Sequence, residues 1–355
     1  MTKFLIVFLG KVRCDPALQT SYFFSPCLTA GNPPYQLTGG SGGTNDAPIY
    51  QNFAMLAEKL DPSYISLIIP SRWFSGGRES LLAEFRKHML SSRNIKMLHA
   101  FVETRDVFPT VEIKGGLCFY LYDKSYDGDC NYILTQDGAD LNSLRNLGDF
   151  DILIRDPYVA KIVKKVMDLA SASNTVDTLI SGDTPFGVPT NPSESAKNPF
   201  DLYDEPTPEH NTQLLYLNKM VRTIGFVNRN AIKKNVEDID RFKVFIPKAS
   251  GSGTDPYVIG KPEFGARNSV CSQTFLYAAF DEEAQAKNFI TYLRSKFFRF
   301  LVSASKISQE TPSKVYRFVP IQDFSKPWTD EELYAQYGLN DEEIAFIEST
   351  IKPLE

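Results

Sequence analysis

The chain has 355 residues, 43% hydrophobic and 23% charged, with a formal net charge of −5 at pH 7. This is the balance of a soluble globular protein with room for two domains, and it excludes a global basic field that would announce nucleic acid, though not a local basic face. Five cysteines (Cys14, Cys27, Cys118, Cys130, Cys271) are odd in number and show no CxxC or Cys/His spacing. They read as reduced thiols of a cytoplasmic protein without a zinc site. His88, His99 and His210 are scattered, so no hydrolytic triad or metal cluster suggests itself.

The chain opens with an apolar run at 4–9 after Lys3. It is too short to span a membrane and no clean small-residue cleavage site follows, so a buried strand is expected. No other stretch approaches a transmembrane length, and no membrane partner is expected. Pro26 interrupts any strand leading toward Gly31. Residues 1–31 therefore read as an atypical leader, either an unusual segment or a start displaced from the true one.

Gly31-Asn32-Pro33-Pro34-Tyr35-Gln36 comes next. An Asn-Pro pair is a common turn starter, and two successive prolines fix the backbone without requiring donors. The Asn-Pro-Pro-Tyr sequence also resembles the catalytic loop of amino-methyltransferases. The resemblance implies that the Asn32 side-chain carbonyl and the Pro33 backbone carbonyl accept the two N–H bonds of an exocyclic amine. Pro34 holds them in place and the Tyr35 ring stacks on the base. Such an amine is a poor nucleophile until its lone pair is drawn out of the ring, and a base within a duplex must be flipped to reach the pocket. Gly39-Gly40-Ser41-Gly42-Gly43-Thr44 lacks the Gly-Lys-Ser/Thr of a phosphate-binding loop and reads as a mobile surface loop beside the site.

A regular alternation follows. Residues 49–60 have helical spacing with Phe53, Leu56 and Leu60 on one face. Residues 64–69 form an apolar run closed by Pro70, a buried strand. Residues 78–90 are an amphipathic helix with Leu81, Leu82, Phe85 and Met89 inward. Strands are expected at 95–102 and 117–122, with an added antiparallel pair around 108–122. Strands separated by helices imply a largely parallel α/β sheet.

The succession Ile69-Pro70-Ser71-Arg72-Trp73-Phe74, Gly76-Gly77, Glu84-Phe85-Arg86 and Phe108-Pro109-Thr110-Val111-Glu112-Ile113-Lys114-Gly115-Gly116 widens the likeness. In order after the loop, these segments resemble adenine-specific DNA methyltransferases of restriction–modification systems, especially the modification half of type IIG-like enzymes, over residues 30–135. A looser likeness continues through 245–249 and 315–324. The resemblance implies a partial Rossmann-like methyltransferase sheet and S-adenosylmethionine as methyl donor. It matches Phe108 to the aromatic residue that packs on the flipped base, and a core phenylalanine is the equal alternative. Ser71, Arg72 and Trp73 fall at a strand's C-terminal end, where open α/β sheets place ligands. They are candidates for the site wall, with a surface ion pair and a core indole as the plain alternatives for the last two. The chain departs from the family in one respect: no strand followed by a glycine-rich cofactor turn precedes Asn32, and Ser250-Gly251-Ser252-Gly253 does not supply one. The catalytic half is expected without the cofactor half, as a fragment, a split enzyme or a remnant.

From about residue 131 the regular βαβ spacing is lost. A connecting helix is expected at 156–172, a long irregular loop at 181–211 and a structural cap helix at 341–351. The expected division is a leader at 1–31, a catalytic part at 32–135 and a mixed α+β target-recognition domain at 136–355. Basic residues cluster in 222–248 and 287–317. Lys248, Arg294, Lys296, Arg299, Lys306, Lys314 and Arg317 are the candidate cations for DNA phosphates. Phe289, Leu293, Phe297 and Phe300 are also spaced as a core stripe, with the cations its solvated face; both readings hold together. The leading expectation is an adenine-specific DNA methyltransferase module that binds double-stranded DNA. Another chain would supply the cofactor half or a nuclease, since no nuclease pattern is convincing here. Alternatives are an inactive or partner-dependent DNA-binding specificity subunit, and an RNA or protein-glutamine methyltransferase.

Overall fold

The computed structural model describes residues 27–37, 47–75, 79–109, 113, 115–170, 174–193 and 200–354. The strand expected at 4–9 and the loop expected at 39–44 lie outside the described residues. The chain divides into two compact units, 1–160 and 161–355.

The first unit is built on a six-stranded mixed sheet. Its strands are β1 (Leu28–Gly31), β4 (Tyr64–Pro70), β5 (Ile95–Phe101), β6 (Leu117–Asp123), β7 (Cys130–Gln136) and β8 (Ala139–Arg145), while β2 (Gln36–Leu37) and β3 (Ala47–Pro48) form a separate small ladder. The spatial order is β1-β4-β6-β5-β7-β8. β1 runs parallel to β4 and β5 parallel to β7, whereas β6 is antiparallel to both its neighbours and β8 antiparallel to β7. The expected parallel character is thus diluted by β6, which enters between β4 and β5.

Period-two alternation sends Ile65, Leu67 and Ile69 of β4 to one face, where they meet Leu98, Ala100, Cys118, Tyr120, Tyr132 and Leu134. Helices α1 (Tyr50–Lys59) and α2 (Glu79–Ser91) contribute to the same core. Leu82, Phe85 and Met89 of α2 point inward as expected. For α1 the expected face was displaced: Tyr50, Gln51, Ala54 and Ala57 are buried, while Leu56 and Leu60 are exposed. Small alanines let the helix backbone approach the sheet, which the bulkier leucine stripe would not.

Two expected limits also move. β1 falls within the expected leader, two residues after Pro26, so the sheet begins before the Asn-Pro-Pro-Tyr loop. β7 and β8 extend it beyond 135. Most β8 side chains are exposed, so that strand carries little hydrophobic signal. The unit boundary falls inside α3 (Pro157–Leu169).

The second unit is mixed α+β. β9 (Thr212–Asn218) and β10 (Val221–Val227) form a hairpin, and β13 (Ser269–Cys271) joins β9 in parallel. A second sheet has the order β12 (Glu263–Gly265), β11 (Phe242–Pro247), β14 (Phe275–Phe280), all antiparallel. Helices α4 (Glu283–Arg294), α5 (Lys296–Ser303), α6 (Asp330–Gln336) and α7 (Asp341–Thr350) complete it. Phe289, Leu293, Phe297 and Phe300 are fully buried, so the aromatic stripe is core. Thr329 with Glu332 and Asn340 with Glu343 form capping boxes at α6 and α7.

Candidate active site

β1 ends at Gly31, level with Leu67 of β4, and the Asn32–Tyr35 loop begins there. Its far end is pinned by a hydrogen bond from the Ile49 amide to the Tyr35 carbonyl, 3.1 Å. Ile49 immediately precedes α1. Asn32 is exposed, Pro33 and Pro34 are half-buried, and the Tyr35 ring packs partly against the sheet core. Burial pushes the Tyr35 hydroxyl up to about 12, partly offset by the nearby Asn32 side chain. The loop therefore offers an amide and a proline carbonyl at the C-terminal end of a strand, on a backbone with few soft torsions.

β4 runs parallel to β1 and ends in a one-turn helix, Ser71–Phe74. The Ser71 amide donates to the Gly116 carbonyl at 3.0 Å, so the segment before β6 is clasped to the end of β4. Gly116 has φ +78°, and a Cβ there would lie 2.2 Å from the Phe101 carbonyl oxygen at the end of β5. Only glycine allows this approach. Gly115 has φ +98°, and a Cβ there would lie 3.3 Å from the Arg72 stem. Four strand ends thus converge on one edge of the sheet.

The three wall candidates separate. Trp73 is fully buried and stands edge-on to Phe74 and Phe85, at 4.8 and 5.7 Å between centroids. It is a core residue, and its place in the site wall is corrected accordingly. Ser71 is buried too, and with Trp73 it adjoins the Cys118 thiol, whose burial pushes it up to about 12. Arg72 is exposed at the strand end. Phe108 is half-buried and lies outside any strand, after a helical turn at Thr104–Asp106, its amide bonded to the Thr104 carbonyl at 2.8 Å. The Thr104 hydroxyl also receives the Ile113 amide at 3.2 Å, tying the two ends of that loop together.

Sequence reasoning missed Arg155. It lies just before α3, places its guanidinium over the Phe74 ring at 5.6 Å and donates to the Gly115 carbonyl. Desolvation lowers its pKa. Nothing in a lone arginine of an irregular stretch marks it; the sheet edge alone brings it to the Gly115–Gly116 turn.

The seven basic candidates of the second unit do not make one face. Arg299 is fully buried and donates to the carbonyls of Arg294, Ser295, Tyr257 and Lys352. Burial pushes its pKa down to about 10. Lys306 is buried and donates to Ser250 and Val258 carbonyls at 2.7 and 2.5 Å. Both expectations are corrected: these cations satisfy backbone carbonyls and are closed to phosphates. Lys296 pairs with Glu348, and Lys248 with Asp183 at 3.2 Å. Arg294 is half-buried, and Arg317 donates to the Lys314 carbonyl at 2.7 Å. Of the seven, Lys314 alone is exposed. Among the described residues no cluster of His, Cys, Asp or Glu could hold a metal, and no helix is long and apolar enough to cross a membrane.

Comparison with known proteins reaches the same loop. The TM-scores are 0.47 with the type IIL restriction-modification enzyme MmeI in complex with DNA, at 11% identity over 93% of this chain and 55% of that one, and 0.33 with the type IIG restriction endonuclease BpuSI, at 13% over 90% and 45%. A 100-residue stretch is 38% identical to an uncharacterized adenine-specific methylase of Mycoplasma pneumoniae (strain ATCC 29342 / M129 / Subtype 1), covering 28% of this chain and 24% of that protein. The chain thus spans about a quarter of the curated relative and about half of the matched structures. Residues 29–108, which hold β1, the Asn32–Tyr35 loop, β4 and β5, match the family of the Eco57I restriction-modification methylase, and in that part the chain is similar to adenine-specific methylases of restriction–modification systems.

Proposed function

We propose that the chain is the catalytic and DNA-binding part of a DNA adenine methyltransferase of a restriction–modification system, working in the cytoplasm. The observation that carries this is the Asn32–Tyr35 loop at the C-terminal end of β1, within the stretch matched by the methylase family. The Asn32 side-chain oxygen and the Pro33 carbonyl accept the two N–H bonds of the exocyclic amine. That pulls nitrogen toward tetrahedral geometry and directs its lone pair outward. Tyr35 and Phe108 bracket the flipped base, and the Gly115–Gly116 clasp, held by Arg155, keeps the Phe108 loop against the sheet end. Residues 161–355 supply the contacts that choose the DNA site, with Lys314 on a phosphate.

S-adenosylmethionine is the methyl donor the family implies, and it supplies an electrophilic methyl group when bound. The described residues do not fit a complete cradle for it: among them no Gly-x-Gly turn follows a strand of the six-stranded sheet, and Gly40-Ser41-Gly42, after β2, lies outside the described residues. A second chain carrying that half of the site is the partner this reading calls for.

The test is adenine-methylation sequencing of a methylation-deficient host that expresses the chain with and without its neighbouring genes. Methyladenine at one defined sequence is expected in the complete system and is lost in Asn32→Ala. Methyladenine that persists in Asn32→Ala, or none in the complete system, would sink the reading.

A further inference from the structure

The β9–β10 hairpin closes in two residues. Asn218 pairs with Val221, leaving Lys219 and Met220 at φ 46° and 70°. Two consecutive left-handed residues make the turn whose twist matches the flanking strands, and Asn-Gly is the sequence that adopts it without strain. Lysine and methionine carry a Cβ that clashes there. Met220 is 86% exposed, more than any other large hydrophobic among the described residues, and Val221 beside it is 66% exposed. Folding accounts for neither property, because glycine would relieve the strain and a polar side chain the exposure. Local strain with no folding benefit points to a task outside the fold.

The hairpin is also rigid at its root. Its ladder is unbroken from Asn218↔Val221 to Thr212↔Val227, β13 flanks β9, and Tyr203 exchanges two backbone hydrogen bonds with Phe226 of β10. Arg222 is held to Glu263 of β12 by an ion pair. The ribbon therefore presents Met220 at a fixed place.

We infer that the Lys219–Met220 tip enters a groove of duplex DNA and that Met220 is a site-reading side chain. The inference rests on the DNA reading given above and names the element that reads. A two-stranded ribbon fits the major groove, and an apolar side chain there touches a thymine methyl. Methionine is also among the apolar wedges that separate base steps. Lys219, in the same turn, suits a flanking phosphate better than an apolar protein pocket.

The test uses the purified chain, a pool of random-sequence duplexes for selection, and fluorescence anisotropy for affinity. Met220→Ala is compared with the double variant Lys219→Asn/Met220→Gly, which gives the turn its favoured sequence. The double variant is expected to melt no lower than the wild type, and its melt is recorded so that lost binding is separated from lost folding. Both variants are expected to lose base preference at one or two positions and to bind the selected duplex about tenfold more weakly or worse; Met220→Ala keeps its affinity for unrelated DNA within about twofold, whereas the double variant, without the Lys219 phosphate contact, also weakens on unrelated DNA. A double variant that selects the same sequence with the same affinity overturns the inference. So does a wild-type dimer in solution that Met220→Ala dissociates, since the occupant is then a second copy. A wild type that binds no duplex overturns the DNA reading itself, and the inference with it.

Discussion

Arg299 donates to four carbonyls from three segments of the second unit, while Lys314 stands exposed in the same basic stretch. Composition treats the two alike. Removing the Arg299 side chain orphans buried carbonyls and opens a cavity, so Arg299→Ala should destabilise the protein by about 3 kcal/mol or more. Lys314→Ala should leave the melting temperature unchanged and lower the slope of log affinity against log salt by about one. Thermal melts and salt titrations of DNA binding on both variants check this; a salt slope altered equally in the two would contradict the assignment. At the candidate active site the same distinction separates Asn32, exposed on its loop, from Trp73, three residues past a strand end and wholly core. The Asn-Pro-Pro-Tyr motif was legible because it is contiguous, a tetrapeptide within the stretch the methylase family matches. Arg155 was not, because its partners Gly115 and Phe74 lie far away in sequence.

At the scale of elements, α1 and α2 share a link at their outer ends. His88 of α2 meets Glu58 of α1 at 2.8 Å, and that hydrogen bond raises the histidine pKa above its ordinary 6.5. A raised folded-state pKa means the pair stabilises fully below about pH 6.5 and loses its contribution as pH rises through the folded value. The histidine is more than a third exposed, so solvent screening limits the contribution to about 0.5 kcal/mol. We expect the melting temperature to fall slightly across that window, and the fall to shrink in His88→Gln. A difference between the two proteins that grows with pH would contradict the pairing. Strands β4, β5 and β6 were readable as apolar runs between helices. β8 was not, because a strand with most side chains exposed carries no hydrophobic period.

At the scale of the molecule, the described six-stranded sheet begins at β1, which carries the Asn32–Tyr35 loop, and among the described residues no Gly-x-Gly turn follows any of its strands. The chain by itself should then show no calorimetric binding of S-adenosylmethionine below about millimolar concentration, the range near −4 kcal/mol. Micromolar binding by the isolated chain would place a whole cofactor site within it and remove the need for a partner.

The sequence by itself determined the α/β character of the first unit, the mixed character of the second and the presence of the Asn32–Tyr35 motif. These follow from local periods, prolines and a contiguous motif, all set by neighbours along the chain. Only the tertiary structure decided that β6 is antiparallel between β4 and β5, that Gly116 closes over Phe101, and that Arg299 and Lys306 face carbonyls. Each depends on which distant backbone groups are left without partners once the strands have paired. A buried carbonyl claims whatever donor reaches it, and that reach is fixed by packing in space, which no spacing along the chain encodes.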